Sequence, residues 1–267
     1  MTAAHRPEFD ALAERVHDVL AGRPAIFMIN PGNWGDSMIR EGAESFLRYY
    51  DISYHSVRFK DVLKNRTSLD AERAATHHSD PVLIYNGCGA FSPHYEMAAR
   101  VANLTRQFST SIILPSTFAI DVAEYKFSDT THFFVRDRFE SAERMPGSPF
   151  CHDMAFFLDP VARPPVRDIG YMLRDDAETP EGTKFPPGNV DLSRNGRAHT
   201  PVDGFLEAIG QFREIHTNRL HIAIASVLLG RRTHLSSNDY FKIRAIFDSS
   251  IRDYFDAATF EPAPDIE

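Results

Sequence analysis

The sequence contains only two cysteines, Cys88 and Cys151, and they lie far apart. They match no zinc-ligand spacing and offer no disulfide framework, which fits a reducing compartment. Positive charge is not in excess. The formal net charge is -8, so the chain as a whole carries no basic field for nucleic acid. A local basic pocket for a small anion remains compatible with that balance. Long hydrophobic runs are missing too. The longest, Ile222 to Leu229, falls well short of the ~20 residues of a membrane span. The segment from Met1 to Arg23 is polar and helical in pattern, without the apolar core of a signal peptide. These absences lead to the expectation of a soluble cytoplasmic protein, with contact at the inner face of the cytoplasmic membrane left open. Oligomeric state is silent in the sequence.

Several catalytic signatures are absent as well. There is no Gly-x-Ser-x-Gly elbow, no His-Glu-x-x-His pair and no CxxC. The pair His77-His78 sits in a polar segment without carboxylates spaced as co-ligands, so neither a metal site nor a cofactor is expected.

What is present is an α/β pattern. Hydrophobic residues make up 43% of the 267, enough to fill a core without disulfides or a structural metal. Short β-like runs (Ala25 to Asn30, Ser53 to Phe59, Val82 to Tyr85, Ser111 to Leu114, His132 to Val135) alternate with helical segments. Pro115 is read as the stop of the fourth run. The helices run from Asp36 to Tyr50, His94 to Gln107 and Arg138 to Met145. Asp175 to Gly204 is rich in Pro, Gly and charge, and reads as a long mobile loop. Beyond it come a helix over Val202 to Phe212, a strand over Glu214 to His216 and a buried helix over Arg219 to Leu229. A strand over Arg232 to Leu235 and a closing helix over Asp239 to Phe255 complete the chain. The pattern predicts two Rossmann-like domains, residues 1–160 and a smaller 161–267, joined near Asp159 to Val166 with a cleft between them.

In open α/β sheets, ligands sit beyond the carboxyl ends of strands, so the post-strand loops are the places to look. Asn30-Pro31-Gly32-Asn33-Trp34-Gly35-Asp36 has two glycines before a helix N-terminus, which suits an anion. It is neither a Walker loop nor a Gly-x-Gly-x-x-Gly fingerprint, and a helix-capping role for Asp36 explains it equally well. Asn86 to Phe91 reads equally well as a tight strand-to-helix turn. Arg136, at a strand end, could clamp a carboxylate or phosphate, although spacing alone favours a local network with Asp137. Arg219 and His221 open the most apolar helix, where a cation and an imidazole suit an anion and a proton transfer. Lys242 reads as a solvated helix face or a second cation. Spacing alone stops at an α/β enzyme with an anion-binding cleft.

The order of the pieces carries a resemblance. Asn33-Trp34-Gly35-Asp36, Asn86-Gly87-Cys88-Gly89, Leu114-Pro115-Ser116-Thr117 and Val135-Arg136-Asp137 through Ser141 come first. His152-Asp153-Met154-Ala155-Phe156, Thr217-Asn218-Arg219-Leu220-His221 with Leu229-Gly230, and Tyr240-Phe241-Lys242-Ile243 follow. Together they resemble the polysaccharide pyruvyl transferase family, from about Ile26 to Phe247. The departures are Asn86 and Cys88 where glycines are usual, Ser116 for glutamine, Asn218 for aspartate, and a short second half.

The resemblance implies a GT-B-like arrangement, with the acceptor on the N-terminal side and the donor on the C-terminal side. It also implies phosphoenolpyruvate as donor and a pyruvyl ketal on a glycan precursor, free or lipid-linked, as product. By the same resemblance His221 is the general acid. Arg219, Arg136, Leu220 and Lys242 hold the donor. Asn33 and Asp36 face the acceptor, Asp36 as base. Two other readings stand beside it: a glycosyltransferase using a nucleotide sugar on the same scaffold, and a non-catalytic saccharide-binding relative.

Overall fold

The structure, a computed structural model, describes residues 2–262 apart from 94, 177–178, 180–183 and 237–240. Contacts divide the chain into two units. One is Met1–Pro31 with Ile39–Phe157, and the other is Gly32–Met38 with Leu158–Glu267. The last division along the chain falls between Phe157 and Leu158. The loop after the first strand, expected with the N-terminal half, counts with the second unit.

The first unit is built on a five-stranded parallel sheet of β1 (Ala25–Ile29), β2 (Tyr54–Arg58), β3 (Val82–Tyr85), β4 (Ser111–Ser116) and β5 (Thr131–Val135). Their order is β2-β1-β3-β4-β5. Every residue of β1, β3 and β4 is buried. Unbroken apolar runs like those of β1 and β3 are what a strand covered on both faces requires. The covering helices are α1 (Arg6–Leu20), α2 (Trp34–Tyr49), α3 (Phe59–Leu63), α4 (Leu69–Ala75), α5 (Met97–Thr105) and α6 (Glu140–Arg144). α1 has proline in its first turn and buries Phe9, Leu12, Ala13, Val16 and Leu20, one stripe at helical spacing. It ends where Ala21 enters the left-handed region (φ 47°) and its N–H reaches the His17 carbonyl. α3 and α4 were not read from the sequence, because five and seven residues are too short to show a helical period. Pro115 does not stop β4. It lies inside the strand, where the pairing with β5 shifts register between Ile113 and Ser116, so its missing N–H breaks no regular ladder.

The second unit carries β6 (Arg167–Tyr171), α7 (Asp203–Gly210), β7 (Phe212–Thr217), α8 (Leu220–Leu228), β8 (Arg232–Ser236), α9 (Lys242–Ser250) and β9 (Ala258–Glu261). Its four strands are parallel in the order β6-β7-β8-β9. β6 and β9 were not expected. Arg167-Asp168-Ile169-Gly170-Tyr171 and Ala258-Thr259-Phe260-Glu261 have little apolar signal, as suits strands at a sheet edge. The closing helix is shorter than Asp239 to Phe255, with turns leading from Ser250 into β9, and Asp239 is outside the described residues. Along β7 and β8 the side chains alternate. Ile215, Thr217, Thr233 and Leu235 are buried, while Glu214, His216 and His234 are partly open on the opposite face. The expected α/β class with two parallel sheets is what the chain adopts, the second sheet being the smaller. No helix among the described residues is long and apolar enough to cross a membrane.

The segment from Asp175 to Gly204 is not a bare loop. It holds a 3-10 turn, Leu192–Asn195, capped by Asp191, and α7 begins inside its end. Asn189 pairs with Leu173 through both amide atoms, donating to its carbonyl (3.2 Å) and accepting from its N–H (2.7 Å).

One buried group ties the first unit's stability to pH. His152 is fully buried against the rings of His5, Phe9, Phe150 and Phe156. Burial, and then the charges of His5 and Arg138, push its pKa down to about 2. In the unfolded chain it titrates near the ordinary value of about 6.5. Between those values the unfolded chain binds a proton that the folded chain refuses. The folded state therefore loses stability as pH falls from about 6.5 toward 2, by up to about 1.4 kcal/mol per pH unit. Melting temperatures of the parent and His152→Leu, followed from pH 7 to pH 4, should show a shallower fall for the variant. Equal slopes would remove His152 from the acid response.

Candidate functional site

Trp34 seats the first glycine loop in the second unit. Its indole N–H donates to the Pro201 carbonyl at 3.0 Å, and its ring packs on Phe205 at 5.5 Å. Gly196 and Gly204 lie against the same indole, where a Cβ on Gly196 would stand 2.4 Å from the ring and one on Gly204 would make a tight 3.1 Å contact. Asn33 bridges Arg197, and the Ala198 N–H bonds the Gly32 carbonyl at 3.1 Å. These contacts fix how α2 begins. The Asn33 carbonyl oxygen Oδ1 accepts from the Gly35 N–H, and Asp36 Oδ2 accepts from the Asn33 N–H, both at 2.8 Å. This is a reciprocal helix cap. Capping, one of the two roles open to Asp36, is what this oxygen does.

Against this cap lies His221, in the first turn of α8. A Cβ on Gly35 would stand 2.9 Å from His221 Nδ1, 3.0 Å from its Cβ and 3.2 Å from Asn33 Oδ1. Gly35 is therefore a glycine because an imidazole and an amide occupy the space of a side chain. Asn33, Gly35, Asp36 and His221 meet within one unit, with the N-termini of α2 and α8 both present. Helix N-termini present unpaired N–H groups and a positive dipole end, the environment an anion selects.

The cations expected to hold the donor are arranged differently. Arg219 is 5% exposed. Its Nε donates to Asp191 Oδ1 at 3.0 Å, and its Nη2 donates to Asp191 Oδ2 and to Asp176 Oδ2, the latter at 2.7 Å. Asp191 also accepts from the Asp175 and Ser193 N–H groups at 3.0 and 3.3 Å. One guanidinium thus faces two carboxylates. Leu220 is buried, so its side chain belongs to the core and only its backbone N–H faces the helix start. Lys242 opens α9 and is half-buried, while Tyr240 of the same motif lies outside the described residues. Asn218 uses its side-chain oxygen to hold the Arg174 N–H at 2.7 Å.

Arg136 belongs to the first unit and is 1% exposed. Its Nη1 donates to Asp153 Oδ2 at 2.5 Å and its Nε to Thr117 Oγ1 at 2.8 Å. Asp137 Oδ1 accepts from the Ser141 N–H, and Ser141 Oγ accepts from the Phe118 N–H. The Arg-Asp…Ser motif is therefore a buried lock between β4, β5 and the segment after it. At the carboxyl ends of β1 and β3, where this strand order reverses, Tyr85 donates to Asn30 Oδ1. Asn86 is buried beside them, and neither atom of its side-chain amide has a partner among the described residues.

Sequence reasoning missed Asp176 and Asp191, which sit in a segment it took for loop. It also missed a carboxylate–histidine cluster, Glu214, His216 and His234, whose ligand atoms lie within 4.8 Å of one another. A cavity of about 700 Å³ in the second unit, lined by Pro160, Val161, Val166, Leu206 and Gln211 among others, contains none of the expected site residues.

No protein-family model matches the chain, and no curated protein matches it. A solved structure does: a protein of uncharacterised function from Klebsiella pneumoniae subsp. pneumoniae NTUH-K2044 is similar with a TM-score of 0.77. It shares 23% identity over 98% of this chain and 100% of its own. At that identity the similarity shows the fold alone.

The lock around Arg136 predicts a stability phenotype. Arg136→Leu strands the Asp153 carboxylate in the core and should cost about 3–5 kcal/mol. Arg136→Leu with Asp153→Leu removes both charges and should recover a large part of it. Urea denaturation of both variants measures this, and a stable single variant would return Arg136 to the pool of ligand-binding cations.

Proposed function

We propose that the protein transfers pyruvyl from phosphoenolpyruvate to a pair of hydroxyls on a saccharide, on two Rossmann-like units in a GT-B-like arrangement. The supporting observation is the packing of His221 on Gly35 beside the Asn33–Asp36 cap. Two motifs nearly two hundred residues apart, each weak alone, converge on one place in the second unit. The family resemblance pairs these motifs as acid and acceptor loop.

In this reading His221 gives a proton to the methylene carbon of phosphoenolpyruvate, and positive character develops at C2. One sugar hydroxyl attacks C2, phosphate departs with the C–O bonding pair, and the second hydroxyl closes the ketal. The second hydroxyl's proton returns to His221, while the first hydroxyl's proton leaves with the phosphate by way of Asp36. Asp36 keeps one oxygen in the helix cap, and its other oxygen, Oδ1, takes the hydroxyl proton. Asn33 orients the acceptor. The donor carboxylate or phosphate takes the place of Asp176 on Arg219 Nη2, while Asp191 keeps the guanidinium oriented. Lys242, at the start of α9, adds a second cation. Arg136 is left out, because its guanidinium is committed to Asp153 and Thr117.

A second reading, a saccharide-binding relative without transfer, is favoured by one observation. Arg219 already faces two carboxylates, so an anionic donor must displace one of them.

Phosphate release from phosphoenolpyruvate, measured with a panel of sugar acceptors, tests both readings. Acceptor-dependent release is expected, with a mass gain of one pyruvyl ketal. His221→Ala should lower turnover by at least about 10²-fold with the fold intact. Gly35→Ala, which presses a methyl on the imidazole, should lower it less. Asp176→Asn should tighten phosphoenolpyruvate binding. Saccharide binding that survives His221→Ala, with neither phosphate release nor phosphoenolpyruvate binding in the parent, would select the second reading.

A further inference from the structure

The partly open face of the second sheet carries a group of side chains that neither reading uses. Glu214 and His216 are two apart on β7, so both point to this face. His216 is paired in register with His234 of the neighbouring β8. Their imidazoles stack with centroids 4.4 Å apart and planes 15° apart. Glu214 Oε1 lies between them, 2.9 Å from His216 Nε2 and 3.4 Å from His234 Nε2. The three side chains are 18%, 19% and 18% exposed, so solvent reaches the cluster without filling it.

The outer edge of the cluster fixes one histidine. His234 Nδ1 is 2.9 Å from Glu261 Oε1 and 3.0 Å from Thr259 Oγ1, and Thr259 donates to the same Glu261 oxygen at 2.6 Å. A neutral imidazole has one N–H. With that hydrogen on Nδ1 facing Glu261, Nε2 turns a lone pair toward the Glu214 carboxylate. His234 Nε2 is buried and has no hydrogen-bond partner among the described residues. Two electron-rich atoms face each other there, a clash that either a second proton on the imidazole or a cation between them relieves.

We propose that His216 Nε2, His234 Nε2 and a Glu214 carboxylate oxygen bind a borderline divalent cation of the Zn²⁺ class. Ligand atoms around a tetrahedral ion with bonds of about 2.0–2.1 Å lie about 3.3 Å from one another. The 3.4 Å separation from His234 to Glu214 matches that spacing, and the 2.9 Å one from His216 needs to open by a few tenths of an ångström. Two imidazoles and one carboxylate are a set this ion takes with a fourth position kept for water. A cavity of about 80 Å³ bordered by His216, His234, Ser236 and Glu261 leaves room for that water. Glu261 then acts from outside, holding His234 in the tautomer that ligates, a carboxylate–histidine–metal relay. The site does not depend on the pyruvyl-transfer reading.

The test is calorimetric titration of the chelator-treated, buffer-exchanged full chain with Zn²⁺, and with Co²⁺ while its visible absorption is followed. One equivalent should bind, and cobalt should show the intense bands of a four- or five-coordinate ion. Binding should be lost in His216→Ala with His234→Ala. Glu261→Gln should keep the stoichiometry and weaken affinity by about 10–100-fold, which a residue with no hold on His234 would not do. NMR of the parent needs no variant: Zn²⁺ should shift the imidazole resonances of His216 and His234 together. No binding by the parent would overturn the proposal. So would undiminished binding by the double variant, or zinc uptake that leaves both imidazole resonances in place.

Discussion

The candidate site rests on where one indole ring is held. Trp34 lies in a slot that requires Gly196 to lack a side chain and that Gly204 keeps open, and Phe205 and the Pro201 carbonyl fix its orientation. With the indole fixed, the chain from Gly32 runs along Arg197 and Ala198 and then into the cap made by Asn33 and Asp36. That course brings Gly35 against His221. A slot formed by glycines from 196 to 204 thus decides which residues accompany the imidazole. This explains why the loop after β1 counts with the second unit although β1 itself belongs to the first.

Charge balance decides how the site can be used. The family resemblance implied that two arginines hold the donor anion, although spacing alone favoured a local network for Arg136. Both arginines of the motifs are already matched, Arg136 by Asp153 in the dry core and Arg219 by Asp191 and Asp176. The two cases differ in what can be exchanged. Removing Asp153 from Arg136 would leave a buried cation with no route to water. Asp176 is 34% exposed on its side chain, whereas Asp191 is 2% exposed, so Asp176 is the carboxylate that an incoming anion can replace. An anion that bound at Arg219 would have to exchange with Asp176, so its affinity would be a difference between two ion pairs rather than the strength of one.

Much of the architecture was legible because it rests on apolar runs. Ala25 to Ile29, Val82 to Tyr85 and the Ile222 to Leu229 stretch announce themselves as buried strand or helix, and they carry the sheet order and the core. The edge strands β6 and β9 were not legible, since a strand with one neighbour keeps polar side chains on much of its surface. Asp36 was legible as a capping residue, while its partner Asn33 emerged only from the geometry of the loop. Asp191 was hidden for another reason. Its role is set by hydrogen bonds from Asp175, Ser193 and Arg219, and such bonds leave no periodicity in the sequence.

The Glu214-x-His216 pair shows the same limit from the other side. A spacing of two is unremarkable in a loop or helix, and it becomes a pair of ligands only on a strand, where alternate side chains share a face. Even then two residues do not make a site. The third, His234, arrives through the register of β7 on β8, and Glu261 arrives through β9, a strand the sequence did not reveal. Sequential strand order has a further consequence. Right-handed crossovers between neighbouring parallel strands carry each connecting helix to the same side, so the opposite face depends on its own side chains. On such a face a stacked imidazole pair with a carboxylate between its nitrogens satisfies itself poorly while empty and well around a cation.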